Sequence, residues 1–167
     1  STPGAVHPVA IEYQAPDLSG QVDLSDGEGY LSSDGKNWVS AEKNQNCNLC
    51  LKAYTLPDLA QGMCFDGDRI YVSSSWGTAF SHIYQYDESR LQLQGNIALL
   101  GMELPLYALD SAALLADGVI APMSEEIVVV DGRLYTMCES ASDKYIFGKF
   151  TSGKWCYATD VETFFQP

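Results

Sequence analysis

The sequence predicts a mostly β protein: two antiparallel β repeats, an N-terminal β-hairpin region and one short helix. Three observations carry that expectation. First, residues 61–87 and 125–149 share one layout. At an offset of 64 residues Met63 falls on Ile127, Arg69 on Arg133, Ile70 on Leu134 and Tyr71 on Tyr135, and a short gap then brings Ile83-Tyr84 onto Tyr145-Ile146. Each copy reads as an apolar strand, an Asp/Gly turn, a second strand, a Ser-rich connection and a third, aromatic strand, as stacked β units do. Second, Asp-Gly pairs recur between short apolar runs, and glycine supplies the positive φ that a tight turn needs. Third, only one stretch carries helix signals.

Taken in order, residues 1–20 are rich in Pro, Gly and Ala, and only 9–13 (VAIEY) read as a strand, one suited to a sheet edge. Residues 23–29 (DLSDGEG) form a turn cluster. Tyr30-Leu31-Ser32 then leads through Ser33-Asp34-Gly35-Lys36 into Asn37-Trp38-Val39, a hairpin signature. In residues 48–56 (NLCLKAYTL), Leu49, Leu51 and Ala53 alternate with Cys50, Lys52 and Tyr54, which predicts a half-buried strand. Between the two copies lie residues 96–117, rich in Leu and Ala. There Asp110 is placed to cap a helix over 111–116, which Gly118 ends. Residues 154–157 and 161–165 are expected to add a last strand. The reading divides the chain into residues 1–56 and a two-repeat region, 57–167, or treats the whole as one domain.

A chain of 167 residues supports one domain with a real core or two small ones, and 46% apolar content argues against disorder. Charge is the outlying property: 22 acidic against 9 basic residues, a net −13. Such a surface repels phosphate backbones and anionic membranes, which sets nucleic acid and lipid aside as partners. The apolar runs at 119–122 and 127–130 are strand-length, too short to cross a bilayer as helices. The chain opens at Ser1 without Met or a signal peptide, as a processed chain or a fragment would. Five cysteines are an odd number, so at least one thiol is left over or pairs with another chain. Cys64 and Cys138, inside strand-like runs, read as small buried hydrophobes.

Two families are resembled. The Ala60-Gln61-Gly62 lead-in, the run DGDRIYVSSSWG, and the stretch from Pro122-Met123-Ser124-Glu125 through Glu139-Ser140 to Lys144-Tyr145 resemble blades of β-propellers from secreted bacterial proteins, over residues 58–150. Two copies do not close a ring of about four to eight blades. The remainder would therefore lie on another chain, or the units would pack face to face as a sandwich or small barrel. The elements VAIEY, GEGYLSSDGKNWVS and CLKAYT, within residues 8–55, are similar to the closing strands of a lectin-like accessory domain found beside papain-like peptidases of clostridia. That resemblance implies a secreted, non-catalytic region. The peptidase nucleophile motif Cys-Gly-Ser-Cys-Trp is lacking, so no peptidase activity carries over.

Several constellations bear on chemistry. Cys47-x-x-Cys50 precedes a strand rather than opening a helix, so it lacks the dipole that activates redox thiols. A structural role comes first, a disulfide second and a metal or redox role last. Ser73-Ser74-Ser75 with His82 and Asp87 or Asp110 offers the residue types of a triad, but no Gly-x-Ser-x-Gly frames them. Ser1 as a self-cleavage nucleophile is a remote alternative to ordinary processing. Asp66 with Asp68, Glu125 with Glu126, and Asp23 with Asp26 and Glu28 are paired carboxylates in or beside turns. The last group suggests calcium, without the ligand spacing of an EF-hand. Glu139, at the end of a buried-looking strand, is the candidate catalytic residue, against the plainer reading of an ion pair with Lys144 or Arg133. Trp38, Trp76 and Trp155 invite a carbohydrate reading. Trp76 leads because it stands in a Ser/Gly-rich loop, whereas tryptophans in strands usually serve the core.

The functional expectation is a secreted, non-catalytic β module that binds a carbohydrate or a protein surface through Trp76, Tyr30 and Trp38. It needs no cofactor beyond the calcium that the acidic loops suggest, and no metal site is assigned. The alternative is the C-terminal lobe or a processed subunit of a larger secreted hydrolase, partnered by another chain of the same precursor, with Glu139 contributing a cleft carboxylate.

Overall fold

The computed structural model describes residues 8–13, 30–31, 37–38, 50–99, 102–139 and 156–166. Strands β1 (Val9–Tyr13), β4 (Cys50–Thr55), β8 (Gln92–Leu99) and β9 (Met102–Ala108) form one sheet in the order β1-β4-β9-β8. A second sheet runs β10-β7-β6-β5, from β5 (Ala60–Asp66), β6 (Arg69–Ser74), β7 (Ser81–Asp87) and β10 (Leu114–Ile120). A third joins β11 (Ser124–Val130), β12 (Arg133–Cys138) and β13 (Tyr157–Asp160). The predicted N-terminal hairpin is the ribbon of β2 (Tyr30–Leu31) and β3 (Asn37–Trp38). The fold is mostly β, and none of these sheets closes on itself.

The sheets lie in layers. Tyr54 and Leu109 meet Ile70, Val72 and Tyr86 in one core, between the first and second sheets. On the opposite face of the second sheet, Tyr71 and Ile83 meet Ile127, Val129 and Leu134 of the third. Alternation along β6 supplies both cores from one strand, since successive side chains point to opposite faces.

As expected, β1 forms a sheet edge. For β4 the half-buried expectation is modified: Ala53 and Tyr54, on opposite faces, are both buried, while Leu51, on the face of Ala53, is exposed. Tyr54 joins the first core, while Ala53 packs on the other face with Leu104, Ile11 and Leu106, neighbours that the parallel pairing with β9 helps to bring alongside. Lys52 of the same strand pairs with Glu88 and with Glu12 and lies 5.8 and 5.9 Å from the Tyr54 and Tyr107 rings. Burial opposes the charge on Lys52, but its carboxylate partners outweigh that and hold its pKa above the usual lysine value.

The predicted helix over 111–116 is also corrected. Asp110 does cap, its Oδ1 accepting from the Ala112 amide at 2.9 Å, and its carbonyl accepts from the amides of Ala113 and Leu114. The chain makes only that turn, because Ala113 is buried in the first core and Leu114 joins the ladder opposite Tyr86. The Leu-rich stretch before it is the hairpin β8–β9. Helical structure among the described residues lies elsewhere: a 3₁₀ turn at Glu88–Arg90 and α1 (Val161–Phe164).

Strand bounds of the hairpins β5–β6 and β11–β12 differ by 64 residues at all four ends. Leu59 and Met123, just before each hairpin, both take a left-handed backbone (φ 63° and 62°). Their carbonyls accept from the amides of Ser75 and Glu139 at 3.1 and 2.8 Å. Beyond the hairpins, the expected third strand at 145–149 lies outside the described residues. The place beside β12 is filled by β13, which pairs Asp160 with Arg133 as β7 pairs Asp87 with Arg69. The tail expected as a strand at 161–165 is instead α1, because Asp160 accepts from the Thr163 amide at 2.9 Å and caps a helical turn.

A seam of hydroxyls and glycines joins the second and third sheets. Ser73 Oγ donates to the Glu125 carbonyl at 2.5 Å, the Ser124 amide donates to Ser81 Oγ at 3.0 Å, and Ser124 and Thr136 hydroxyls share a hydrogen bond of 3.1 Å. Buried hydroxyls and carbonyls of this kind have to be paired, so each bond ties one sheet to the other or fixes the strand that does so. Gly62 lets β5 pass β11 at backbone distance, and Gly118 leaves the space that the Phe164 ring of α1 occupies.

Candidate functional site

The candidate site grows out of the end of β6. Ser73 and Ser74 are buried inside the strand rather than in a loop, and Ser74 Oγ donates to the Asp58 carbonyl at 2.9 Å. Ser75 is also buried, and its amide is fixed on Leu59. From this base the chain turns outward through Gly77, at a φ of 58° that glycine adopts most readily. The return is closed by the Ala79 amide on the Trp76 carbonyl at 3.4 Å, and Ser81 is buried again. Between those anchors Trp76 is 72% exposed and Phe80 is 69% exposed. Two large aromatic side chains thus stand in water on a short loop with both ends tied to the sheet.

Phe80 was not among the sequence candidates. Its signal was available: an aromatic in a Ser/Gly-rich stretch, four residues after the tryptophan already singled out there. Tyr30 and Trp38 are backbone partners across the β2–β3 ribbon, which joins two of the candidates at one register position. Their side chains, like Trp155 and the Asp23, Asp26 and Glu28 cluster, lie outside the described set. The tryptophan loop and the hairpin belong to separate sheets.

The remaining sequence candidates divide clearly. No triad assembles from Ser73–Ser75. His82 Nδ1 sits 2.8 Å from Asp117 Oδ1 and its ring stacks on Tyr84, while Asp87 accepts from Ser89 and Asp110 from Ala112. Asp68 pairs with Arg69 at 3.0 Å, as a turn carboxylate does. Burial pushes the Cys64 thiol up to about 11 and raises that of Cys138, so neither is a reactive thiolate at neutral pH. Among the described residues no group of three or more His, Cys, Asp or Glu is placed to hold a metal ion, and no helix is long and apolar enough to cross a membrane.

Glu139 follows β12 directly, in the position that Ser75 has after β6. Its carboxylate acts on Glu125: burial first, and Glu139 second, hold the Glu125 carboxyl above its usual range. The strands are antiparallel, so Glu125 and Glu139 lie on either side of the Ser124–Cys138 pair, as diagonal neighbours across the ladder. A cavity of about 190 Å³, lined by Leu56, Ala60, Gln61, Gly62, Met63 and Glu126, lies at the β5–β11 crossing. It is smaller than the roughly 300 Å³ at which ligand clefts begin, and neither Glu125 nor Glu139 lines it.

Comparison with known proteins gives one similarity. The family described as Lectin like domain matches residues 1–55, about a third of the chain and the part that holds Tyr30 and Trp38. No curated protein and no solved structure matches the chain.

Proposed function

We propose that this chain is an extracellular, non-catalytic β module that holds a carbohydrate on the loop at 75–80, with a protein surface as the other partner that the same aromatic patch would fit. The observation that carries this reading is the exposure of Trp76 and Phe80 on a loop anchored at both ends. Flat aromatic faces match the C–H faces of sugar rings, and an exposed ring held by a fixed loop loses little freedom on binding. The lectin-like similarity of residues 1–55 points the same way and offers Tyr30 and Trp38 as a second surface. The second and third sheets, stacked face to face and matched in hairpin geometry, support the blade-like reading of residues 58–150. The resemblance of the sequence to secreted families is what supports an extracellular placement.

The test is a glycan array followed by titration of the best ligand. Trp76→Ala is expected to weaken binding about 30-fold, the loss of roughly 2 kcal/mol from an aromatic anchor, while leaving Tm unchanged. Undiminished affinity in that variant overturns the assignment. One observation favours a second reading, a hydrolase lobe: the coupled pair Glu125 and Glu139, one of them with a raised carboxyl. Under it, Glu139→Gln abolishes hydrolysis of a sugar that Trp76→Ala still cleaves.

A further inference from the structure

Alternation along β7 sends His82, Tyr84 and Tyr86 to one face of the second sheet. The register with β10 sets Val119 beside His82 and Asp117 beside Tyr84 on that same face. The first sheet covers only one end of it. Tyr86 is buried in the first core and Tyr84 packs at its margin, while the side chains of His82 and Asp117 are 40 and 42% exposed and Val119 is exposed as well. The open end is the one that joins the aromatic loop: Phe80 precedes His82 by two residues, a span of about 7 Å at most along an extended chain.

We propose that this open face is the second half of the carbohydrate site, and that its ligand is a neutral oligosaccharide lying from Trp76 and Phe80 across His82, Asp117 and Tyr84. This extends the carbohydrate reading of the loop at 75–80, rests on it, and supplies the polar groups the loop lacks. Aromatic rings hold a sugar by its C–H face, whereas placed hydrogen-bonding groups choose between sugars. A carboxylate only accepts, so the contact of 2.8 Å makes His82 Nδ1 the donor and leaves Nε2 of the neutral ring an acceptor. The Asp117 Oδ2 is a second acceptor. The Tyr84 ring lies within 12° of parallel to the imidazole at 5.8 Å and holds it in place. Burial first, and the Asp117 charge second, raise the Tyr84 phenol, so its hydroxyl stays protonated and able to donate. Among the described residues, Nε2, Oδ2 and the Tyr84 hydroxyl have no hydrogen-bond partner in the protein. Two acceptors and a hydroxyl beside exposed rings fit a chain of sugar hydroxyls. Asp117 and the net charge of −13 repel carboxylate or sulfate on the ligand, which sets uronate, sialylated and sulfated chains aside.

The probes are neutral hexose and N-acetylhexosamine chains, from monosaccharide to hexasaccharide, printed beside their sialylated and uronate counterparts. The tightest neutral chain is then titrated calorimetrically into the whole 167-residue protein and its variants. Asp117→Asn is expected to weaken binding about tenfold, the loss of a hydrogen bond to a charged acceptor, and His82→Ala about fivefold. An exposed pair of this kind adds little to stability, so Tm should stay unchanged in both variants. The neutral chain should bind better than its sialylated counterpart. Asp117→Asn should narrow that preference by about threefold, the repulsion of two exposed unit charges about 7 Å apart in water, a ratio that a merely structural role would not move. Undiminished affinity in Asp117→Asn and His82→Ala, with Trp76→Ala weakened, confines the ligand to the loop and overturns this proposal alone. Weakening in those two with Trp76→Ala unaffected overturns the loop assignment and, with it, the spanning ligand. A preference for acidic chains overturns the neutral ligand, and binding of no glycan overturns both the loop site and its extension.

Discussion

Replacing Gly62 with alanine tests the seam on which the layered arrangement depends. A Cβ added at Gly62 would lie 2.9 Å from the Glu125 carbonyl oxygen and 2.9 Å from the Glu126 Cα, whereas ordinary contact begins near 3.4 Å. Both atoms are backbone, so neither can rotate aside, and the carbonyl is held in addition by Ser73 Oγ. β5 and β11 would have to part by roughly half an ångström, an overpacking that costs about 1–3 kcal/mol. Alanine restricts the unfolded chain and returns about 0.4–1 kcal/mol. The net loss is therefore about 1–2 kcal/mol, a fall in Tm of roughly 2–8 °C for a domain of this size. Thermal unfolding followed by tyrosine fluorescence reads it, with urea denaturation to show that the m-value is unchanged. Because Ser73 acts on the same carbonyl, Gly62→Ala and Ser73→Ala should be non-additive in a double-mutant cycle. An unchanged or raised Tm in Gly62→Ala would mean that the two strands do not meet at backbone distance, and the reasoning would fail.

Ser73→Ala alone leaves a buried carbonyl without its hydroxyl and should cost about 1–3 kcal/mol in urea unfolding; a neutral result would show that water replaces the hydroxyl. Gly67→Asp should change stability by less than about 0.5 kcal/mol, because Asp131, the residue at the same turn position of β11–β12, already holds a φ of 50°; Gly67→Val, β-branched at positive φ, should be clearly worse in the same assay. Glu125 has a carboxyl raised in the folded state, so its stabilising contribution is complete below the unfolded pKa and is lost as pH rises through the folded one. Glu125→Gln should accordingly raise Tm at about pH 7 and leave it unchanged at about pH 3.5, below the ordinary carboxylate range. Equal effects at both pH values would count against that sign.

What could be read from the sequence was what is local. Each of the hairpins β5–β6 and β11–β12 carries its own alternation and its own tight turn, so residues within 15 positions of one another decide them. The β2–β3 ribbon was legible for the same reason. β8 and β9 were not, because leucine and alanine fit a helix as well as a strand. What selects the strand is β4, some fifty residues earlier, offering a parallel edge to residues 106–108. The 111–116 segment shows the same contest in miniature: a sound cap at Asp110, overridden when Leu114 finds Tyr86. At the site, the exposure of Trp76 followed from its loop, but the coupling of Glu125 to Glu139 depends on the Ser124–Cys138 register, and register follows from the bulge after Ser124, which composition does not announce.

The equivalence of Ser75 and Glu139 bears on the choice between binding and chemistry. Both amides donate to a left-handed residue just before their hairpin, so one backbone geometry presents two different contents: serine followed by an exposed tryptophan, and a glutamate. What the two positions share is set by the backbone, and the side chain placed there differs between a buried serine and a half-buried glutamate. Hydrolysis asks more of Glu139. A glycosidase needs two carboxyl groups roughly 5–10 Å apart across the bond to be cut, in a cleft that admits the sugar between them. Here the carboxylate that raises Glu125 stands just past the next strand of the same hairpin, and the cavity described at the β5–β11 crossing is lined by Glu126 instead. Aromatic display asks only for a rigid base and exposure, and the loop at 75–80 has both. On that physical ground the tryptophan loop, rather than the glutamate pair, carries the function proposed for this chain.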